Sequence, residues 1–473
     1  MTFSSSEFLF LFLPLCIIIY GITPNRWRNY ILLLASIVYY VLAERDIYLI
    51  LLFIFIIINY ITGIIIEKYQ DSKHYKKIAL IAGIVINLLL LGLFKYTNFV
   101  ISNINIILSF MHVAIPQVNL PFPLGISFIT FQCLTYIIDI YRNQARAEHR
   151  LPMMALYVSM FPKIIAGPIV KYKDMANQLV DHKLDIAMIE EGIIRFLVGL
   201  AKKVIIADTL GLAADAIFGT RIEHMSSLYA WIGIIAYTLQ IYYDFSGYSD
   251  MAIGLGRIFG YKIMENFNYP YSSKSITEFW RRWHISLSTW FREYLYIPLG
   301  GNRHGIKKTY RNLITVFILT GLWHGASWTF VVWGLYHGAF MIIERMGLKK
   351  ILDKYGVVGT IYSIVVVMIG WVFFRSPDIQ FALKYIYLMF SFNDYQAVHF
   401  DAMRYVTNEF WIYVVIATLF SFPIVPYLKK RMNAYQELLW YKLSVHGYTI
   451  ILFIIAFMYI AKSSYNPFIY AGF

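Results

Sequence analysis

A histidine, His324, sits in the run Leu313-Ile-Thr-Val-Phe-Ile-Leu-Thr-Gly-Leu-Trp-His-Gly-Ala-Ser-Trp328, which is otherwise free of ionisable groups. Placing such a group at membrane depth costs about a few kcal/mol, so it marks a site by default. A neutral imidazole facing an internal cavity can take the proton of a hydroxyl as that hydroxyl attacks a thioester carbonyl. The same residues equally fit a packing bond from the imidazole to a backbone or serine oxygen of a neighbouring helix. His337 has the same local setting, in Gly334-Leu-Tyr-His-Gly338, an echo of Gly321-Leu-Trp-His-Gly325. Position alone therefore does not choose between the two histidines. Glycines spaced in this way let a neighbouring helix approach closely, and two copies do not make a repeat array.

Other candidates surround them. His284 lies beside Arg281 and Arg282; it could orient a carbonyl, touch a phosphate-bearing donor, or sit at headgroup level. Asp244 and Asp250, in Tyr242-Tyr-Asp-Phe-Ser-Gly-Tyr-Ser-Asp250, could bind a substrate hydroxyl or pair with Arg281 or Arg282, pairing being the commoner fate of buried carboxylates. Asp139 has the same two readings. Several chemistries lack their signatures. Gly254-x-Gly256-x-x-x-Gly260 has the wrong spacing for a phosphate cradle. Neither a His-Glu-x-x-His pair nor a cysteine cluster suggests metal, and no Gly-x-Ser-x-Gly elbow marks a serine hydrolase. Cys16 and Cys133 read as buried apolar residues.

The elements that must position these residues are membrane helices. Apolar residues make up 59% of the chain and charged ones only 14%, against roughly a quarter charged in a soluble domain. The apolar runs are continuous, which excludes an alternating barrel. The net charge of +14 does not indicate nucleic acid, because Lys and Arg gather in short loops where they set topology and meet anionic headgroups. Candidate spans fall at 7–22, 30–43, 47–66, 78–94, 100–115, 124–141, 153–170, 187–206, 228–245, 313–333, 359–374, 410–428 and 448–462. Several are shorter than the ~20 residues a span needs, so about eleven are expected to cross. The first is an anchor rather than a cleaved signal, since Glu7 and no basic residue precedes it. Arg26, Arg28, Lys68, Lys73, Lys76 and Lys77 would face the cytoplasm and the loop Glu44-Arg45-Asp46 would face out, which puts the N-terminus outside. Glu278–Tyr296 reads as one amphipathic helix, with Phe279, Trp283, Leu287, Trp290, Phe291 and Tyr294 on one face and Arg281, Arg282, Ser288 and Arg292 on the other. Such a helix lies in a membrane interface. Nothing suggests a second soluble domain, so residues 1–473 read as a single membrane-embedded body.

Several stretches resemble the membrane-bound O-acyltransferase (MBOAT) family. They are Pro123-Leu-Gly-Ile-Ser-Phe128, Phe161-Pro-Lys-Ile-Ile-Ala-Gly-Pro168, Asp244-Phe-Ser-Gly-Tyr-Ser-Asp-Met-Ala-Ile-Gly254 and Asn266-Phe-Asn-Tyr-Pro-Tyr271. Phe279-Trp-Arg-Arg-Trp-His-Ile-Ser-Leu-Ser-Thr-Trp290, Tyr296-Ile-Pro-Leu-Gly-Gly-Asn-Arg303, Gly321-Leu-Trp-His-Gly325 and the ending Asn466-Pro-Phe-Ile-Tyr470 join them. The match is best to the family's bacterial alginate O-acetylation branch. It covers about residues 121–473, and residues 1–115 match only as generic apolar helices. The resemblance implies an all-α polytopic fold, a ring of tilted helices with re-entrant and interfacial pieces around a central tunnel in the bacterial cytoplasmic membrane. It makes His324 the catalytic histidine, places His284 beside it as a second site residue with a supporting or structural role, and leaves His337 without a catalytic one. It implies an acyl thioester donor such as acetyl-CoA entering from the cytoplasm, no tightly bound cofactor, and a polysaccharide acceptor pathway. It also implies an extracytoplasmic SGNH-type acetyltransferase partner. The alternatives are D-alanyl transfer to teichoic acid, a transporter of an activated group, or a scaffold for polysaccharide export.

Overall fold

The computed structural model describes residues 1–44, 47–120, 122–180, 184–391, 403–435, 437–462, 465 and 469. Of the segments singled out above, Arg45, Asp46 and Pro121 lie outside the described residues, as does all of 466–470 except Ile469. The described residues are helical with connecting loops and contain no strand. Long runs of Ile, Leu, Val and Phe satisfy their backbone groups within each helix, which is what a bilayer demands.

Among the described residues, four helices are long and apolar enough to cross a membrane: Tyr48–Lys68, Lys73–Lys95, Gly356–Arg375 and Leu439–Lys462. Asn408–Phe420 and Ile424–Arg431, bent by 60° at their junction, make a fifth if they form one span. The protein is thus an all-helical polytopic membrane protein.

The chain packs into two compact units. The first comprises Met1–Ile193 and Ala252–Met264. Within it, Asn59 of the Ile47–Lys68 helix and Asn87 of Lys73–Lys95 exchange two amide hydrogen bonds of 2.9 Å. A reciprocal pair of this kind joins two apolar helices that have no hydrophobic drive to meet in lipid. The apolar stretch 153–170 is not one span here. It forms Leu151–Ser159 and Phe161–Ile164, broken at Met160 beside Pro162 and buried among neighbours. Proline cannot continue a helix interior.

The second unit comprises Ile194–Met251 and Glu265–Ile469. Two expectations are corrected in it. The apolar run 313–333 is a helical hairpin, Ile306–His324 followed by Trp328–Ile343. Gly325 is extended and Ser327 caps the second helix by accepting the Thr329 N–H. Their contact is very close: a Cβ on Gly321 would lie 2.2 Å from the Phe330 carbonyl oxygen, and one on Gly334 2.2 Å from that of Phe317. The histidine-bearing glycine echo is therefore helix packing. The second correction concerns Glu278–Tyr296. It is two short helices, Ile276–Arg282 and Ile285–Phe291, followed by the helical turn Arg292–Tyr296. Its six apolar side chains are all buried inside the protein instead of resting on an interface.

Candidate active site

The break at His284 is built from the residues around it. Ser275 caps the helix: its Oγ accepts the Glu278 N–H, and the Glu278 carboxylate accepts the N–H of Lys274, the residue before the cap, at 2.9 Å. The buried Glu344 accepts the N–H groups of Ile276 and Thr277 and the Thr277 hydroxyl, so a carboxylate faces the positive end of this helix. The helix stops at Trp283, and His284 takes the left-handed conformation at φ +44°. That region costs an L-residue roughly 1–2 kcal/mol and needs surroundings that enforce it. Asn266 supplies them. Its carbonyl accepts the Ile285 N–H at 2.9 Å. Its Oδ1 accepts the Ser286 N–H at 3.1 Å, the Ser286 hydroxyl at 2.9 Å and the His284 ring at 3.1 Å. Its Nδ2 donates to Ser249 Oγ on the Ser227–Ile258 helix. An amide oxygen only accepts, so His284 carries its proton on Nδ1.

His324 is the last residue of its helix and is 1% exposed. Its Nδ1 lies 2.8 Å from the Thr320 carbonyl oxygen, one turn back. A carbonyl cannot donate, so Nδ1 carries the hydrogen and, in the neutral ring, Nε2 is the lone-pair nitrogen. Trp323 and Trp333 pack on the ring at 4.9 Å and Phe374 at 5.4 Å. The Trp323 indole also lies 6.1 Å from His284, so one side chain touches both histidines.

A cavity of about 790 Å³ opens beside them. Leu313, Val316, Phe317 and Thr320 line it from the helix that ends at His324. Those positions recur at helical spacing, and the stripe they define continues to residue 324. Trp280 and Met341 line the inner wall. Toward the outside stand Arg281, Arg292, Arg303 and Arg345, with no acidic side chain in the lining. Among the described residues, none of these four arginines has an ion-pair or hydrogen-bond partner for its side chain. A pocket with an apolar floor and an uncompensated guanidinium rim suits an anion with several phosphate oxygens.

The carboxylates take the pairing role, with partners other than those expected. Asp250 accepts from Arg195 at 2.7 Å and Lys202 at 2.7 Å, and Arg195 also holds Glu265. Asp244 lies 3.1 Å from the buried Lys203 ammonium, which also bonds Asp208, and it accepts the Ile469 N–H. Arg282 pairs with Glu278, one turn away, and Arg281 faces the cavity. Asp139, in the first unit, is buried and accepts the Lys173 N–H at 3.2 Å. His337 is buried mid-helix among Phe279, Trp280, Trp333 and Tyr336. Cys16 and Cys133 are free thiols. The structure thus brings His324 and His284 to one place. Reasoning from residue types missed Asn266, Thr320, Glu344 and the arginine rim; only Asn266, inside a motif already singled out, left a usable signal.

The first helix of the hairpin thus ends on an imidazole held by its own backbone, beside a cavity rimmed by arginines. The family model of the membrane-bound O-acyltransferases matches residues 141–375. The chain is 45% identical over 398 residues to the probable alginate O-acetylase AlgI of Pseudomonas aeruginosa, covering 84% of this chain and 76% of that one. It is 34% identical over 521 residues to the peptidoglycan O-acetyltransferase of Helicobacter pylori, covering 100% and 97%. A more distant match, 32% over 225 residues, is the teichoic acid D-alanyltransferase of Bacillus subtilis, covering 44% of this chain and 55% of that one. The chain belongs to the membrane-bound O-acyltransferase family and is an O-acyltransferase.

Proposed function

We propose that this protein moves acetyl groups from a cytoplasmic thioester to an exported polysaccharide, with His324 as general base. The observation that carries the reading is the His324 ring. Its Nδ1–H is committed to Thr320, which orients Nε2 as the proton acceptor at the end of the stripe that lines the cavity. Nε2 takes the proton of the acceptor hydroxyl as its oxygen attacks the thioester carbonyl. The C–S bond then breaks, the ester forms, and the proton passes to the departing thiolate. His284, braced by Asn266 and sharing Trp323 with His324, positions the reacting groups.

Acetyl-CoA is the proposed donor, because four arginines without side-chain partners among the described residues match the several phosphates of coenzyme A better than the single phosphodiester of a carrier-bound pantetheine. The relatives named for alginate and peptidoglycan O-acetylation support an exported glycan as acceptor. Completion of the transfer by an extracytoplasmic SGNH-type acetyltransferase belongs to the same reading. So do a location in the bacterial cytoplasmic membrane with the N-terminus outside, and about eleven tilted spans around a tunnel, the shorter helices crossing where the bilayer is thinned. The whole chain serves as one membrane-embedded enzyme.

Purified protein in liposomes, given labelled acetyl-CoA, tests the reading. His324-dependent transfer or hydrolysis is expected. Uptake of intact donor without cleavage sinks it and leaves a transporter. The D-alanyl reading rests on the partial match to the Bacillus subtilis protein. Saponified surface glycan distinguishes the two by releasing acetate or D-alanine.

A further inference from the structure

In contact with both the cavity lining and His324 lies a block of three rings to which the acyl-transfer chemistry assigns no part. Trp280 lines the cavity. It packs on Trp333 at 5.6 Å and on His337 at 5.3 Å, and those two lie 5.3 Å from each other. Trp333 in turn sits 4.9 Å from the His324 ring. Ring contacts therefore run without a break from the cavity wall at Trp280 to the His324 ring.

We propose that Trp280, Trp333 and His337 form the wall that restricts the transferred acyl group to the size of acetyl. This inference rests on the acyl-transfer reading above. A thioester whose carbonyl reaches His324 past Thr320 must lay its acyl chain against these rings, and anything longer than a methyl group needs the volume they fill.

Two features make the wall unyielding. Behind it, Trp333 stacks on Trp371 at 6.0 Å, Trp371 packs on Trp283 at 5.0 Å, and Trp283 stacks on Phe279 at 5.5 Å, so the rings have nowhere to recede. Beside it, the Gly321 and Gly334 contacts lock the two helices of the hairpin at backbone distance. Close-packed interiors of this kind do not part for an extra methylene without strain.

The polar atoms of the block agree with a packing role. The indole nitrogens of Trp280 and Trp333 and both ring nitrogens of His337 have no hydrogen-bond partner among the described residues. Truncating these side chains opens space without breaking a hydrogen-bond network. Such a site discriminates by volume, where each methylene in an apolar pocket is worth roughly 10- to 200-fold in rate.

The test is a chain-length series, acetyl-, butyryl- and octanoyl-CoA, given to the full-length protein in liposomes. Wild type is expected to cleave acetyl-CoA and to lose at least about tenfold in rate at butyryl. Trp280→Ala, and to a lesser degree His337→Ala, are expected to raise the octanoyl-to-acetyl ratio at least about tenfold. A ratio taken within one variant is insensitive to the fraction of protein that folds. Wild type that cleaves octanoyl-CoA as fast as acetyl-CoA overturns the wall without recourse to any variant. Unchanged ratios in both variants, with acetyl-CoA still cleaved, overturn the wall alone. Absence of His324-dependent cleavage of every thioester overturns the acyl-transfer reading and the wall with it.

Discussion

Gly321-Leu-Trp-His-Gly325 and Gly334-Leu-Tyr-His-Gly338 differ by a single ring substitution, yet the structure gives their histidines opposite settings. His324 ends its helix, with one nitrogen fixed by a carbonyl and its ring at the end of a cavity-lining stripe. His337 lies mid-helix with both nitrogens unpartnered among the described residues and aromatic rings on several sides. The final glycine of each motif makes the difference. Gly325 adopts an extended conformation and turns the chain, whereas Gly338 continues the helix against Phe317. A local sequence pattern fixes how closely two helices approach; the position of the helix end decides whether a histidine is mid-helix among rings or at a terminus beside the cavity-lining stripe.

Substitutions can break that contrast or sharpen it. His324→Ala should have the largest effect, lowering labelled acetyl transfer by about 10²- to 10⁴-fold while the protein elutes as wild type from a size-exclusion column. If His337→Ala cost as much, the contrast would be void. Asn266→Ala comes next. It strips the acceptor from His284, the Ser286 N–H and the Ser286 hydroxyl in a buried site. Each orphaned donor costs about 1–3 kcal/mol, so the detergent-solubilised protein should melt several degrees lower and turn over more slowly. Gly334→Ala should cost about 1–3 kcal/mol through the clash with the Phe317 carbonyl, read in the same melting experiment. Arg281→Ala combined with Arg345→Ala should raise the KM for acetyl-CoA by roughly tenfold and blunt its salt dependence, with kcat changed far less. The smallest effect belongs to His337→Phe, which keeps a ring of similar volume and should cost less than about fivefold in acetyl transfer.

The membrane class and the candidacy of His324 were legible in composition, in apolar runs and in long ordered motifs. What escaped was decided by backbone turns and distant partners. The apolar window passes straight through Gly325-Ala-Ser327, so the hairpin read as one span, although the extended Gly325 and the Ser327 cap end one helix and start the next. The positive φ at His284 has no local requirement in a histidine; it exists because Asn266, eighteen residues earlier, grips the adjoining turn. Hydrophobic periodicity grouped Phe279 through Tyr294 correctly, since that face is buried, but it could not tell a protein interior from a lipid surface. Asp250 found Arg195 and Lys202 instead of the nearby arginines because the latter face Glu278 and the cavity. Pairing of buried charges is set by tertiary neighbours, which spacing does not encode.

The bond from His324 to Thr320 stays within one turn of one helix. Many general bases are held by a carboxylate on another element, and any sliding between the two elements detunes them. Here the imidazole and its orienting carbonyl belong to one helix. Any movement of that helix against its neighbours leaves the bond, and with it the tautomer, unchanged. In the proposed role as base, His324 would keep its tautomer without help from a second element, which suits an enzyme whose surrounding solvent is itself a fluid sheet.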